Sequence, residues 1–477
     1  MQRFAFLFIS VFAALIGTAG VARAQLTEVT TVTNRVTVQP STTSAWTDAS
    51  VRCPAGLVAL SGGADTPDFN YFELSTSAPT FDGSGLAFQP VGNRVAANGW
   101  YVSVRNLDTK VHTVTAVAMC APLNNVIVAI ASINAPAGST TSPSTGGTSA
   151  VCPSGYSATG GGIDVAFPGT MRVSTLGPVF GAQYLIDVPA GQQAAPTGWN
   201  GNVRNEGNAG TVKVAAVCAP LTGMFSIVTA PFTTTAGTVS GQSARCPANT
   251  IALGGGVDSN ELTRNVLVVS TPLFPANPQF PSDRDAGSYT SANGWYSILY
   301  TYGPANFTAR VAAICATPNP GIVVAYEFYN TNLRHYFRTS SAAEAAGVDR
   351  GSAGAGWVRT GDNFFAYVAG SGSPGSDVCR FYTFGANSHF YTAFADECAG
   401  LKSPNSGWVY EGLSFRIPLP SSNGCTVAGT VPVYRLYNNR FAFTDSNHRF
   451  TTQAANVATL QQQGWTYEGI AFCAPVF

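Results

Sequence analysis

The sequence predicts an all-β protein: three tandem disulfide-stapled antiparallel β modules, followed by a pseudo-threefold closed β domain with short helices. Three observations carry that prediction. Strand-like segments alternate apolar and polar residues, two kinds of internal repeat divide the chain, and ten cysteines fall in step with the repeats. The 50 glycines and 29 prolines among 477 residues supply turns for short strands and oppose long helices.

The first element is an export signal. Arg3 precedes an apolar run over residues 4–16, and Ala22-Arg23-Ala24 offers a small-x-small cleavage site. The run is shorter than the roughly 20 apolar residues that span a bilayer. Residues 1–24 therefore read as a signal peptide. The expected product is a secreted protein, extracellular or periplasmic, with no membrane span after signal removal.

Three long modules follow, over residues 25–125, 126–222 and 223–320. Cys53-Pro54-Ala55-Gly56, Cys152-Pro153-Ser154-Gly155 and Cys246-Pro247-Ala248-Asn249 open matching blocks. Twelve residues after each Cys stands an aspartate preceded by glycines: Asp65, Asp164 and Asp258. A Gly-Trp pair follows at Trp100, Trp199 and Trp295, and each block closes on a second Cys followed by Ala, at Cys120, Cys218 and Cys315.

That regularity reduces the cysteine problem. Ten cysteines allow about 945 pairings, but a repeated unit that folds by itself pairs within itself. The expected bonds are Cys53–Cys120, Cys152–Cys218 and Cys246–Cys315, with Cys379–Cys398 and Cys425–Cys473 for the remaining four. Each long loop is worth about 4 kcal/mol in the chain-entropy picture. Zinc ligation is the rival reading, but two Cys per module without His make a poor ligand set.

The closing segments 113–120, 211–218 and 308–315 align without gaps and alternate as half-buried strands do. Thr115, Lys213 and Arg310 occupy the same polar position between apolar neighbours and are expected to face solvent. Each long module is expected to be a self-contained sandwich or small barrel.

From residue 321 to 477 the period shortens. Tyr326-Glu327-Phe328-Tyr329, Cys379-Arg380-Phe381-Tyr382 and Tyr434-Arg435-Leu436-Tyr437 open three blocks. Each leads to a histidine and an aromatic–polar strand: His335-Tyr336-Phe337-Arg338-Thr339, His389-Phe390-Tyr391-Thr392 and His448-Arg449-Phe450-Thr451. A short helical stretch and a Gly-Trp pair follow, at Trp357, Trp408 and Trp465. Blocks two and three end on Tyr410-Glu411-Gly412 and Tyr467-Glu468-Gly469, where the first has Arg359-Thr360-Gly361.

This ordered pattern resembles a secreted family of unknown function whose members are often appended to bacterial and fungal hydrolases. The resemblance spans residues 323–477, with a degenerate first copy. It implies a compact pseudo-threefold module in an accessory role and carries over no catalytic residues. The Cys-Pro-x-Gly blocks are similar to uncharacterised repeats of exported bacterial proteins, which adds no function.

Composition excludes whole classes of function. There are 24 basic and 24 acidic residues, and charged residues are only 10% of the chain, so the footprint of a nucleic-acid binder is missing. The sequence holds no nucleophile elbow, zinc helix or phosphate loop. Asp65, Asp164 and Asp258 read as turn residues before they read as calcium ligands. The six Gly-Trp pairs read as strand-start packing before sugar platforms.

The three aligned histidines admit three readings. They could lock hairpins onto backbone carbonyls, mark equal ligand pockets, or meet on an axis as a tripodal metal site. Structural locking ranks first and metal last, so no metal and no cofactor is expected.

The leading functional reading is a secreted non-catalytic binding protein that recognises an extracellular or cell-wall glycan or surface, with the tandem modules as stalk or added contacts. His389, Tyr391, Tyr410, Glu411, His448, Tyr467 and Glu468 are the expected ligand-binding residues, and no catalytic residue is assigned. An extracellular hydrolase with an unrecognised site and a structural matrix protein are the alternatives.

Overall fold

The computed structural model describes residues 26–476, apart from 41–44, 166–167, 222–224, 276–278, 291 and 444. The expected signal peptide, residues 1–24, lies outside the described residues. The chain is all-β with antiparallel sheets and short helices, as expected. Among the described residues three α-helices interrupt it, all in the C-terminal third: α1 (Ala342–Asp349), α2 (Ala395–Leu401) and α3 (Ala454–Gln462). All five expected disulfides are present.

The long modules are not self-contained sandwiches or barrels. Each splits its strands between two sheets, so every sheet is shared by two modules. Strands Thr47–Arg52, Gly99–Asn106 and Phe72–Thr80 of the first module continue into Ser157–Val165, Gly210–Ala219 and Ile127–Ala135 of the second. The second joins the third in the same way, and the third returns to the first. The seams are single residue pairs at equivalent places: Ser77 with Ile163, Leu176 with Val257, and Ser270 with Ala64. Three modules thus form one cyclic, strand-sharing body.

The repeated glycines make the seams possible. A Cβ on Gly63 would lie 1.8 Å from Ser270 O, one on Gly162 2.5 Å from Ser77 O, and one on Gly256 2.3 Å from Leu176 O. The preceding glycine of each pair lies under the module's tryptophan: Cβ atoms on Gly62, Gly161 and Gly255 would meet the indole Cγ of Trp100, Trp199 and Trp295 at 2.3, 2.2 and 2.2 Å. Those indoles are buried, as the packing reading requires. Trp100 and Trp295 donate Nε1–H to Ser77 and Ser270 at 2.9 Å. Nearest the axis stand Ser61, Gly160 and Gly254, where a Cβ on either glycine would strike Ser61. One side chain fits there.

The three aspartates are not turn residues. They end strands, are 3–5% exposed, and hold the 3-10 turn of a neighbouring module. Asp65 Oδ2 accepts from Ser282 N at 2.8 Å, Asp164 Oδ2 from Ala87 N at 2.7 Å, and Asp258 Oδ2 from Ile186 N at 3.2 Å. Burial pushes Asp65 and Asp258 up to about 6 and also raises Asp164. Nor do their cross-strand partners face solvent: Thr115 is buried, while Lys213 and Arg310 are half-buried. Lys213 Nζ donates to Ala87 O and Gln89 O at 2.5 and 2.7 Å, gripping the turn that Asp164 holds.

The C-terminal blocks dock onto this body. Arg350, just past α1, donates to Ser288 O, and Tyr326 donates to Glu28. Phe328, Phe337 and Val348 of the first block share the core of the N-terminal body, while Phe415, Phe450 and Phe472 centre a second core. The first two blocks form one sheet, in the order Tyr336–Thr339, Ile322–Asn330, Phe364–Tyr367, Val409–Ile417, Ser376–Thr383, Ser388–Thr392. The third block makes a separate three-stranded sheet from His448–Thr451, Thr430–Tyr437 and Thr466–Pro475. The expected closure is therefore not seen in the ladder, which stops at Ser388–Thr392. Side chains, not strands, join the third block to the first.

Candidate functional site

The Tyr-Glu-Gly motif forms a β-bulge. Arg380 pairs with Gly412 and Phe381 with Tyr410, leaving Glu411 as the extra residue. Arg435 pairs with Gly469 and Leu436 with Tyr467, leaving Glu468 extra. Gly412 and Gly469 take φ of 115° and 108°, which only glycine adopts readily. A bulge re-aims a side chain, and here it turns each glutamate onto an arginine of the next strand.

Two equivalent cells result. Arg380 Nε donates to Glu411 Oε2 at 2.7 Å, and its two terminal nitrogens donate to Glu344 of α1 at 2.8 and 2.9 Å. Arg435 Nε lies 2.9 Å from Glu468 Oε2, and its terminal nitrogens donate to Glu397 of α2 at 3.0 and 3.1 Å. The helices of blocks one and two thus each grip the arginine of the next block. The guanidinium carbon of Arg380 lies 5.2 Å from the Phe337 ring centroid and that of Arg435 lies 5.4 Å from Phe390.

Each cell also holds an imidazole. His389 packs 4.9 Å from Tyr382 and 4.8 Å from Phe337, and His448 packs 4.8 Å from both Tyr437 and Phe390. Burial, reinforced by the nearby arginine, pulls both histidines down to about 3. Their Nε2 atoms stand 3.3 and 3.4 Å from Glu411 and Glu468. With the rings neutral, these contacts are polar approaches and not ion pairs. Burial alone would raise Glu344, but hydrogen bonds from Arg380 and Thr339 and the charge of Arg380 outweigh it and hold its carboxyl below the ordinary value. Glu397 is lowered in the same way by Arg435 and Thr392.

The third cell has inverted chemistry. Glu327 occupies the arginine position, fully buried, and accepts from Arg338, Arg449 and Thr360 at 2.9, 2.9 and 2.7 Å. His335 is not the counterpart of His389 and His448. Strand pairing sets Tyr329 opposite Tyr336, Tyr382 opposite His389 and Tyr437 opposite His448, so Tyr336 holds the equivalent place. His335 lies one residue earlier, 3% exposed, with Nδ1 3.1 Å from Asn387 O and Nε2 2.5 Å from Asp445 Oδ1. That offset removes the threefold relation on which a tripodal metal site depended.

The first cell opens into a cleft of about 420 Å³ between blocks one and two. Trp357, Phe337, Glu344, Arg380 and His389 line it, with Asn332 on the hairpin turn. Of the other expected residues, Glu411 reaches the cell through Arg380. Tyr391 is 3% exposed and donates to Arg338 O at 2.5 Å, deep between the blocks. Tyr410 and Tyr467, both 39% exposed, pack on Phe381 and Tyr434 instead of the imidazoles.

Sequence reasoning missed the arginines, the helix glutamates and Phe337. The signal was present: Arg380 and Arg435 recur at one position, as do Glu344 and Glu397 in the first turn of α1 and α2. A search for a match to the chain among curated proteins finds none. Residues 306–475 match a family described as a domain of unknown function (DUF5648), and that match covers all three short blocks.

Proposed function

We propose that the C-terminal unit is a saccharide-recognition module of a secreted protein, and that the cells of His389 and His448 are its sites for neutral sugars. One observation carries this reading. The same arrangement is built twice: an arginine held by two carboxylates, beside an imidazole kept neutral and packed between aromatic rings. A neutral imidazole can both donate and accept, as hydroxyl recognition requires. Trp357, half-buried in the first cleft, offers a ring to the apolar face of a pyranose. Two carboxylates against one guanidinium leave each cell with a net negative charge, which disfavours acidic ligands.

The reading is non-catalytic because Glu344 and Glu397 are kept ionised by their arginines, and a general acid needs the opposite shift. Five disulfides support secretion, since such bonds persist in oxidising compartments. Calorimetric titration of the full chain with neutral oligosaccharides tests the proposal. Trp357→Ala should weaken binding up to about tenfold, the worth of one lost stacking contact. Binding that is unchanged in Trp357→Ala, His389→Ala and His448→Ala, with the fold intact, would show that the two cells are not the sites.

A further inference from the structure

The cleft between blocks three and one is the threefold counterpart of the Trp357 cleft, with different chemistry. Its volume is about 370 Å³. Trp465 stands where Trp357 stands, Asn438 where Asn330 stands, and α3 with the residue that caps its end supplies Leu460 and Gln463 in place of α1. Tyr336 takes the place of the imidazole, packed 4.9 Å from Tyr329 and 6.0 Å from Trp465. The aromatic wall is therefore kept.

The charges are reversed. No glutamate lines this cleft; Arg334, Arg440 and Asp445 do. Asp445 is fully engaged, one oxygen by His335 and the other by Arg440. Arg334 is exposed, and among the described residues no side chain pairs with its guanidinium. Its backbone is also unusual, with φ of 59°. The corresponding hairpin position in block two, two residues before the imidazole, is Asn387 with φ of 46°. Asparagine tolerates that left-handed conformation and arginine does not favour it. The backbone alone would favour Asn or Gly there, so backbone geometry does not account for the arginine.

We propose that this cleft binds a sugar residue bearing a carboxylate. Arg334 meets the carboxylate with its planar fork, which matches that group in two parallel hydrogen bonds. Trp465 and Tyr336 supply the ring surface. The inference rests on the saccharide reading above and extends it: two cells with net negative charge take neutral sugars, and the cationic cleft takes an acidic one. One C-terminal unit then reads a mixed-charge glycan at separate points.

The test uses the full chain and two probes, one charged and one neutral: an oligogalacturonide and the same oligomer with its carboxylates methyl-esterified. The wild-type chain should prefer the acid by roughly tenfold or more, the effect of one charge-assisted pair. Added salt should erode that preference. Arg334→Asn, which suits the left-handed backbone, should abolish the preference with an unchanged or raised melting temperature. Trp357→Ala should weaken the ester and leave the preference for the acid. A preference that survives Arg334→Asn overturns the proposal, as does wild-type protein that binds acid and ester equally. If the ester fails to bind while Arg334-dependent binding of the acid persists, the neutral-sugar reading falls and the acidic cleft stands.

Discussion

The N-terminal body and the C-terminal unit join three repeats around an axis by opposite means. In the first, side chains are removed at the seams: Gly63, Gly162 and Gly256 let one module's backbone lie against the next, and three buried aspartates hold the neighbouring turns. In the second, side chains are lengthened: Arg380 and Arg435 each reach a glutamate on the preceding block's helix. Backbone-to-backbone joints bring the strands of neighbouring modules into direct contact at the seams. The guanidinium–carboxylate joint of Arg380 lies beside a cleft of about 420 Å³ between blocks one and two.

The comparison can be broken hardest at Glu327. Glu327→Ala leaves Arg338 and Arg449 buried without their carboxylate, and removing one partner of such a set costs about 3–5 kcal/mol. Urea unfolding should show that loss, while Glu411→Ala, at a more open cell, should cost distinctly less. Equal losses at the two sites would refute the view that the third cell is the structural one.

The N-terminal counterpart is Gly256→Val. Its Cβ would lie 2.3 Å from Leu176 O, so the seam must open, at a cost of about 3 kcal/mol. A melting temperature within about one degree of wild type (roughly 1 kcal/mol for a chain of this size) would show the seam to be slack.

Acid should separate the two regions. Asp65 and Asp258 have folded values near 6, above their ordinary 3.8, so they bind protons more readily when folded. Their contribution is fully present below the unfolded value and is lost as pH rises through about 6. The N-terminal body thus gains stability as pH falls from 6 to 4. His389 and His448 behave in the opposite sense: folded values near 3 against 6.5 unfolded mean that stability is lost steadily below pH 6.5. Glu327, raised chiefly by burial, works against them as a single group. Hydrogen exchange at pH 7 and 4.5 should show the C-terminal unit opening first in acid, with the N-terminal body still protected. Opening in the reverse order would contradict the assignment. Asp258→Asn, which keeps an oxygen for Ile186 N, should reduce the acid gain of the N-terminal body.

The smallest effect is at the bulge. Nothing lies within 4 Å of a Cβ on Gly412, so Gly412→Ala tests backbone conformation alone. A loss of about 1 kcal/mol is expected from the positive φ, seen in a thermal melt. No loss would mean that the bulge relaxes and Glu411 is free to leave Arg380.

Much of this was legible in the residues and some was not. Matched Cys spacings identified the three long disulfides, because a cross-link must join points that recur together in each repeat, and the remaining four cysteines paired within their own blocks. The offset of His335 was also readable. Thr339, Thr392 and Thr451 end equivalent strands, and counting back places His335 four residues away but His389 and His448 three. The aspartates were found by repetition, yet their role was misread, since a carboxylate after glycines looks the same whether it closes its own turn or holds another module's.

By itself, the sequence determined the strand-forming segments, the repeats and the covalent pairs, all of which depend on residues near in the chain or repeated along it. Which module shares a sheet with which, and which block supplies the glutamate for a given arginine, were decided only by tertiary structure. Neighbouring copies offer almost the same edges to one another, so local pattern cannot choose among partners. Glycine at a seam, a carboxylate beside a turn and a guanidinium under a ring decide it, and those contacts exist only once all the copies are in place.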